Sequence, residues 1–142
     1  MNSKEAKLRA FNRLLDIMDD LRKQCPWDQK QTFESLRNLT IEETYELGDA
    51  ILERDFSEIK NELGDLLLHI VFYSKIASEN KQFDIGDISK AISEKLINRH
   101  PHIYKNTKVS NEKDVKQNWE ILKLKEGNDS IFSGIPNSLP EI

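Results

Sequence analysis

Four carboxylates fall in two short runs of equal spacing, Glu43 with Glu46 and then Glu62 with Asp65. On a helix, residues three apart project from the same side. Acids at that spacing on two facing helices are a standard way to line a bundle with oxygen ligands. Hard divalent cations take such ligands, and Mg²⁺ takes few of them, keeping positions for water and phosphate oxygens. The first pair also has ordinary explanations, Glu43 as a capping acid and Glu46 as a solvated side chain. The second pair is harder to place on a surface. It opens a run in which Leu63, Leu66, Leu67, Leu68, Ile70, Val71, Phe72 and Ile76 leave almost no polar side, the pattern of a helix surrounded by protein. Carboxylates there must be paired, protonated or bound to a metal ion.

His69 follows Asp65 by four on the same side. An imidazole suits hard ions poorly, so a hydrogen-bonded core or outer histidine is expected rather than a ligand. Asp49, three beyond Glu46, reads equally as an extra ligand, an outer acid or a surface residue. Lys95 and Arg99 stand four apart on one helix face and suit a polyanion such as phosphate; alone, they would read as a solvated cationic face. Trp119 and Lys123 are also four apart. They offer a stacking ring beside a phosphate contact, although spacing by itself favours a core anchor and a surface lysine. His100 and His102 flank Pro101 and are expected to shape a turn.

The elements that must position these residues are helical. Leu8, Phe11, Leu14, Leu15, Met18 and Leu21 predict an amphipathic helix over about 3–24, ended by Pro26. A loop with Trp27 and a short helical piece with Phe33, Leu36 and Leu39 inward should follow. Thr40 with Glu43 has capping-box spacing and predicts a helix from Ile41 to about Arg54, with Ile41, Tyr45, Gly48 and Leu52 as its apolar stripe. Asp55 with Glu58 repeats the signal, leaving only a tight turn before the central helix. Helices joined so closely pack antiparallel. Acids near the start of each would then stand at different heights, unless the helices are offset or a second subunit helps. Asp84 or Asp87 can cap a further helix ending before Pro101, and Ser110 a last one ending at Gly127.

With 142 residues, scarce glycine (5) and proline (4), and 32% charged residues, the chain suits one all-α domain over 1–128 with a tail or linker at 129–142. The net charge of −4 and the pI near 5.4 argue against binding a nucleic-acid polymer through a basic surface. One cysteine, Cys25, excludes an internal disulfide. A charged N-terminus and an apolar run broken by His69 and Lys75 read as neither signal peptide nor membrane span, so a cytoplasmic protein is expected.

Five stretches together, CPWDQKQT (25–32), TIEETYELGDAI (40–51), ELGDLL (62–67), KLINRHPHIY (95–104) and WEILK (119–123), cover most of the chain. In these the sequence resembles the MazG family of nucleoside triphosphate pyrophosphohydrolases, specifically the first half of its two-domain members. The resemblance implies an all-α bundle of four to five helices completed by dimerisation. It implies hydrolysis of NTP or dNTP to the monophosphate and pyrophosphate, as house-cleaning of the nucleotide pool. Glu43, Glu46, Glu62 and Asp65 fall on the family's Mg²⁺ positions, with Mn²⁺ able to substitute, and a carboxylate, Glu43 or Glu46, would take the proton of the attacking water. Lys95, Arg99 and Lys123 fall on phosphate-contacting positions and Trp119 on one near the base. Alternatives are a narrow dCTP or dUTP pyrophosphatase and a catalytically silent nucleotide-binding dimerisation domain. One departure stands out: Lys105-Asn106 replaces the Gly-Asp pair usual after the His-Pro-His stretch.

Overall fold

A computed structural model describes residues 1–105 and 110–127, and these are helical, with no strand among them. The elements are α1 (Lys4–Gln24), α2 (Pro26–Gln29), α3 (Phe33–Glu53), α4 (Phe56–Glu79), α5 (Ile85–Arg99), α6 (Pro101–Tyr104) and α7 (Glu112–Lys125). The all-α expectation is met, with five long helices and two single turns. The tail expected at 129–142 and Asn106 lie outside the described residues. The chain divides into two compact units, Met1–Ile88 and Ser89–Ile142.

In the first unit, Met18 of α1, Leu36 of α3 and Val71, Phe72 and Ile76 of α4 form a buried cluster. Phe11, Leu14, Leu15, Leu68 and Tyr73 pack around it. The apolar periodicity of α1 therefore does what an amphipathic stripe does, burying one face against the α3–α4 pair. Arg22 secures the end of α1. Its Nη1 donates to the carbonyl oxygens of Asp28 (2.7 Å), Gln29 (3.2 Å) and Gln31 (3.1 Å), and its Nε to the Glu79 carboxylate at the end of α4 (3.0 Å). This guanidinium hydrogen bond holds the Glu79 carboxyl below its ordinary range. Charge-assisted bonds of this kind carry more than neutral ones. Arg22→Ala is expected to cost about 2 kcal/mol in urea unfolding, through the stranded carbonyls as much as the lost ion pair.

Three boundaries differ from the sequence expectation. Residues 33–53 form one helix, not a short piece and a second helix, because no proline or glycine interrupts 33–47. Its N-cap is Thr32, in a reciprocal box with Ser35. Thr40 lies inside that helix, where the carbonyl of Leu36 takes its hydroxyl proton (3.1 Å). A Ser/Thr-x-x-Glu spacing caps only where the chain enters the helix, and here it has already entered. Asn111, not Ser110, caps α7, accepting from the amide of Asp114, while Ser110 donates to the Asp114 carboxylate. The loop expected at Trp27 and the turn expected around Pro101 contain the single helical turns α2 and α6, each opened by a proline whose missing N–H costs nothing at that position.

The central helix was expected to be surrounded, and within the unit it is not. Leu63, Leu67 and Ile70 of α4, and Ile41, Tyr45 and Leu52 of α3, are exposed. The inward side of α4 is filled by α1 and α3, and no element of this unit covers the other.

Candidate active site

The acids are set by the hairpin of α3 and α4. Arg54 ends α3 in the left-handed conformation (φ 54°), and Asp55 caps α4, its Oδ1 accepting from the amides of Ser57 (3.1 Å) and Glu58 (3.2 Å). Two helices joined through so short a turn run antiparallel, and pairing is counted outward from the turn. Glu43 and Asp65 each lie eleven residues from Arg54, and Glu46 and Glu62 each lie eight. The predicted mismatch in height therefore does not arise, since distance from the shared turn governs and not distance from each helix start. No second subunit is needed to bring Glu43, Glu62 and Asp65 together.

One carboxylate oxygen from each of Glu43, Glu62 and Asp65 lies within 4.8 Å of the others. Glu43 and Glu62 are half-buried, Asp65 exposed. Of the four acids expected to meet, Glu46 stands outside this group, exposed, though near enough that its charge acts on Glu43 and Glu62. Burial, then the charges of Asp65 and Glu46, and a hydrogen bond with Glu62 push the Glu43 carboxyl up to about 7. Burial likewise raises Glu62, partly opposed by its hydrogen bond with Glu43. The Oε2 atoms of both are buried without a hydrogen-bond partner. Three converging carboxylates, two of which carry a buried oxygen without a partner, in a cluster where burial raises Glu43 and Glu62, are the donor set a hard divalent cation would complete.

The sign of the pH dependence follows. Glu43's folded value lies above that of an unfolded glutamate, so the folded chain holds the extra proton between pH 4.5 and about 7. Metal-free stability from this group is present at low pH and is lost as pH rises through that window. Solvent screening keeps the loss on the order of 1 kcal/mol. A cation competes with that proton, so the melting-temperature gain from Mg²⁺ should grow over the same window. Thermal melts in chelator and in Mg²⁺ check both trends, and Glu43→Gln should flatten the metal-free profile.

His69 does not join the acids. It is buried (8% exposed), and burial lowers its pKa against the pull of Asp65. Its Nδ1 lies 2.6 Å from the Thr40 hydroxyl, which also meets the Tyr73 hydroxyl. The core or outer role expected for this histidine holds. Sequence reading missed Thr40, taken as a cap, and Tyr73. Counting from Arg54 would have found the contact with His69, since Thr40 lies fourteen residues before it and His69 fifteen after.

In the second unit, Lys95 is exposed on α5 and Lys123 half-buried in the last turn of α7. The Arg99 side chain is 11% exposed and donates from Nε (3.2 Å) and Nη2 (2.9 Å) to the Glu126 carboxylate, so it is not a solvated cation. Its guanidinium lies 5.8 Å from the Trp119 ring centre. Trp119 is 40% exposed, which corrects its expected place as a core anchor: α7 meets the polar end of α5 there, and the ring covers a cation. His100 lies beside that ring at 6.1 Å, and its Nδ1–H donates to the Leu96 carbonyl oxygen (2.7 Å).

The fold and the acid cluster define an α-helical domain of the carboxylate-lined class, able to hold a metal ion between two antiparallel helices. Residues 31–104 match the MazG nucleotide pyrophosphohydrolase domain, and the chain belongs to that family. It is 43% identical to the nucleoside triphosphate pyrophosphohydrolase of Escherichia coli (strain K12), over 95% of this chain and 54% of that protein. It is 44% identical to the nucleoside triphosphate pyrophosphohydrolase/pyrophosphatase MazG of Thermotoga maritima, over 87% of this chain and 47% of that one. The chain thus spans about half the length of these relatives. The crystal structure of a MazG-related protein from Thermotoga maritima superposes with a TM-score of 0.68 at 25% identity, covering 79% of this chain and 97% of that one. Among the described residues, no helix is long and apolar enough to cross a membrane.

Proposed function

We propose that this domain hydrolyses nucleoside triphosphates, NTP or dNTP, to the monophosphate and pyrophosphate with Mg²⁺ as cofactor and Mn²⁺ as a substitute. The observation that carries the reading is the convergence of Glu43, Glu62 and Asp65 with two buried, unpartnered oxygens. The names of the relatives, each about twice as long, support the substrate class.

Glu43, Glu62 and Asp65 would hold the metal, with Glu46 beside them. When bound, it supplies neutralisation of triphosphate charge and acidification of a water. Glu46, exposed and outside the trio, accepts the proton as water attacks the α-phosphorus and the bond to the β-phosphate oxygen breaks. Lys95, Arg99 and Lys123 are the cations assigned to the phosphates, opposing the charge that develops on them. Trp119, exposed on one face, is the ring assigned to the base. The uncovered leucines and isoleucines of α3 and α4 support a homodimer, since exposed apolar groups of this size mark interaction surfaces. A cytoplasmic setting fits a chain with one cysteine.

A panel of NTPs and dNTPs, scored by pyrophosphate release with and without Mg²⁺, tests the reading. Release from several nucleotides, only with metal, is the expected result. Release confined to dCTP or dUTP would narrow it, and binding without turnover at any Mg²⁺ concentration would overturn it.

A further inference from the structure

The acid cluster is bracketed. On one side lies the Arg54–Asp55 turn, and on the other the contacts that Thr40 makes with His69 and Tyr73. We propose that Thr40, His69 and Tyr73 form a positioning bridge that locks the register of α3 on α4 and so holds Glu43 against Glu62 and Asp65 for metal binding. The proposal rests on the metal-dependent reading above.

Thr40 stands three residues before Glu43 and His69 four after Asp65, so the bridge lies one turn beyond the acids on both helices. A hydroxyl has one proton and two lone pairs. The assignment that uses every contact has Thr40 donating to the Leu36 carbonyl while accepting from His69 Nδ1–H and from the Tyr73 hydroxyl. Tyr73 is fixed from a second direction, its ring stacked on Phe33 at 5.5 Å and 6°. The neighbouring core of Met18, Leu36 and Val71 is apolar, and such contacts tolerate sliding because they have no direction. A saturated hydroxyl between two helices does have direction, and a slip of one residue would move an acid by about 1.5 Å along the axis and turn it by about 100°. Metal ligands tolerate about 0.5 Å.

The test is calorimetric Mn²⁺ binding to the full chain, alongside thermal melts in chelator. Thr40→Val, which keeps shape and removes the hydroxyl, should weaken Mn²⁺ binding on the order of tenfold, as loss of a supporting contact around a metal site does. Hydrolysis at saturating Mn²⁺ should recover most of its rate, so that the loss appears in metal affinity rather than turnover. Thr40→Ser should restore the affinity. Ile76→Val, a core change on the same helix three turns from Asp65, should lower the melting temperature without moving Mn²⁺ affinity. Wild-type Mn²⁺ affinity in Thr40→Val, or an equal loss in Ile76→Val, overturns the bridge. Should Thr40→Val not fold, Tyr73→Phe serves, with a smaller loss expected and wild-type affinity again overturning the proposal. If the wild-type chain binds no Mn²⁺ at all, the metal reading falls first, and that arm separates the two failures.

Discussion

Glu62→Gln is expected to lower Mg²⁺-dependent pyrophosphate release by about a hundredfold or more while leaving the metal-free fold as stable or more so. The two halves of that result come from one arrangement. Glu62 is half-buried, one of its oxygens has no hydrogen-bond partner, and burial together with the charges of Glu46 and Asp65 raises the cost of its own charge. The amide keeps the shape and removes the charge, so the metal-free cluster loses repulsion. The same change removes a proposed ligand and the negative charge that it would offer a cation. A variant that melts higher in chelator, gains little from Mg²⁺ and turns over little substrate matches all three expectations. Full turnover in Glu62→Gln would show that these acids do not hold the metal.

The largest expected loss of stability belongs to Phe72→Ala, about 3–5 kcal/mol. Phe72 is 2% exposed, sits with Met18, Leu36, Val71 and Ile76 where α1, α3 and α4 meet, and has the Arg22 guanidinium 5.9 Å from its ring centre. Truncation removes the ring's transfer energy and leaves a cavity that three helices cannot jointly close. Against a typical total of about 5–15 kcal/mol, that is a large fraction. Urea unfolding followed by circular dichroism measures it, and a loss below about 1 kcal/mol would mean that the three helices do not share this core.

The helices themselves were legible because their signals are local. Apolar residues at three- and four-residue steps marked α1, Asp55 marked the start of α4, and Asp84 with Asp87 marked α5, whose amides and carboxylates exchange bonds at 2.9 and 3.0 Å. The acid pairs were legible as chemistry for a related reason: carboxylates opening an apolar helix need a partner whatever the fold around them. The break expected at Thr40 failed where a local signal had two physical meanings. A threonine three before a glutamate caps a helix if the chain is entering one, and bonds back to a carbonyl if it is not. Trp119 failed in the same way, since helical spacing shows which residues share a side but not whether that side meets a core or a cation.

From residue types and spacing came an all-α chain, a probe for hard cations on two consecutive helices, and a tight turn between them. The three-dimensional pairing chose among what those left open. It gathered Glu43, Glu62 and Asp65 and set Glu46 apart, turned His69 away from the acids onto Thr40, and gave Arg99 to Glu126. It also left one side of α4 uncovered. Spacing along one helix determines direction only, whereas a site depends on distance between helices, and that distance is set by packing summed over the whole hairpin.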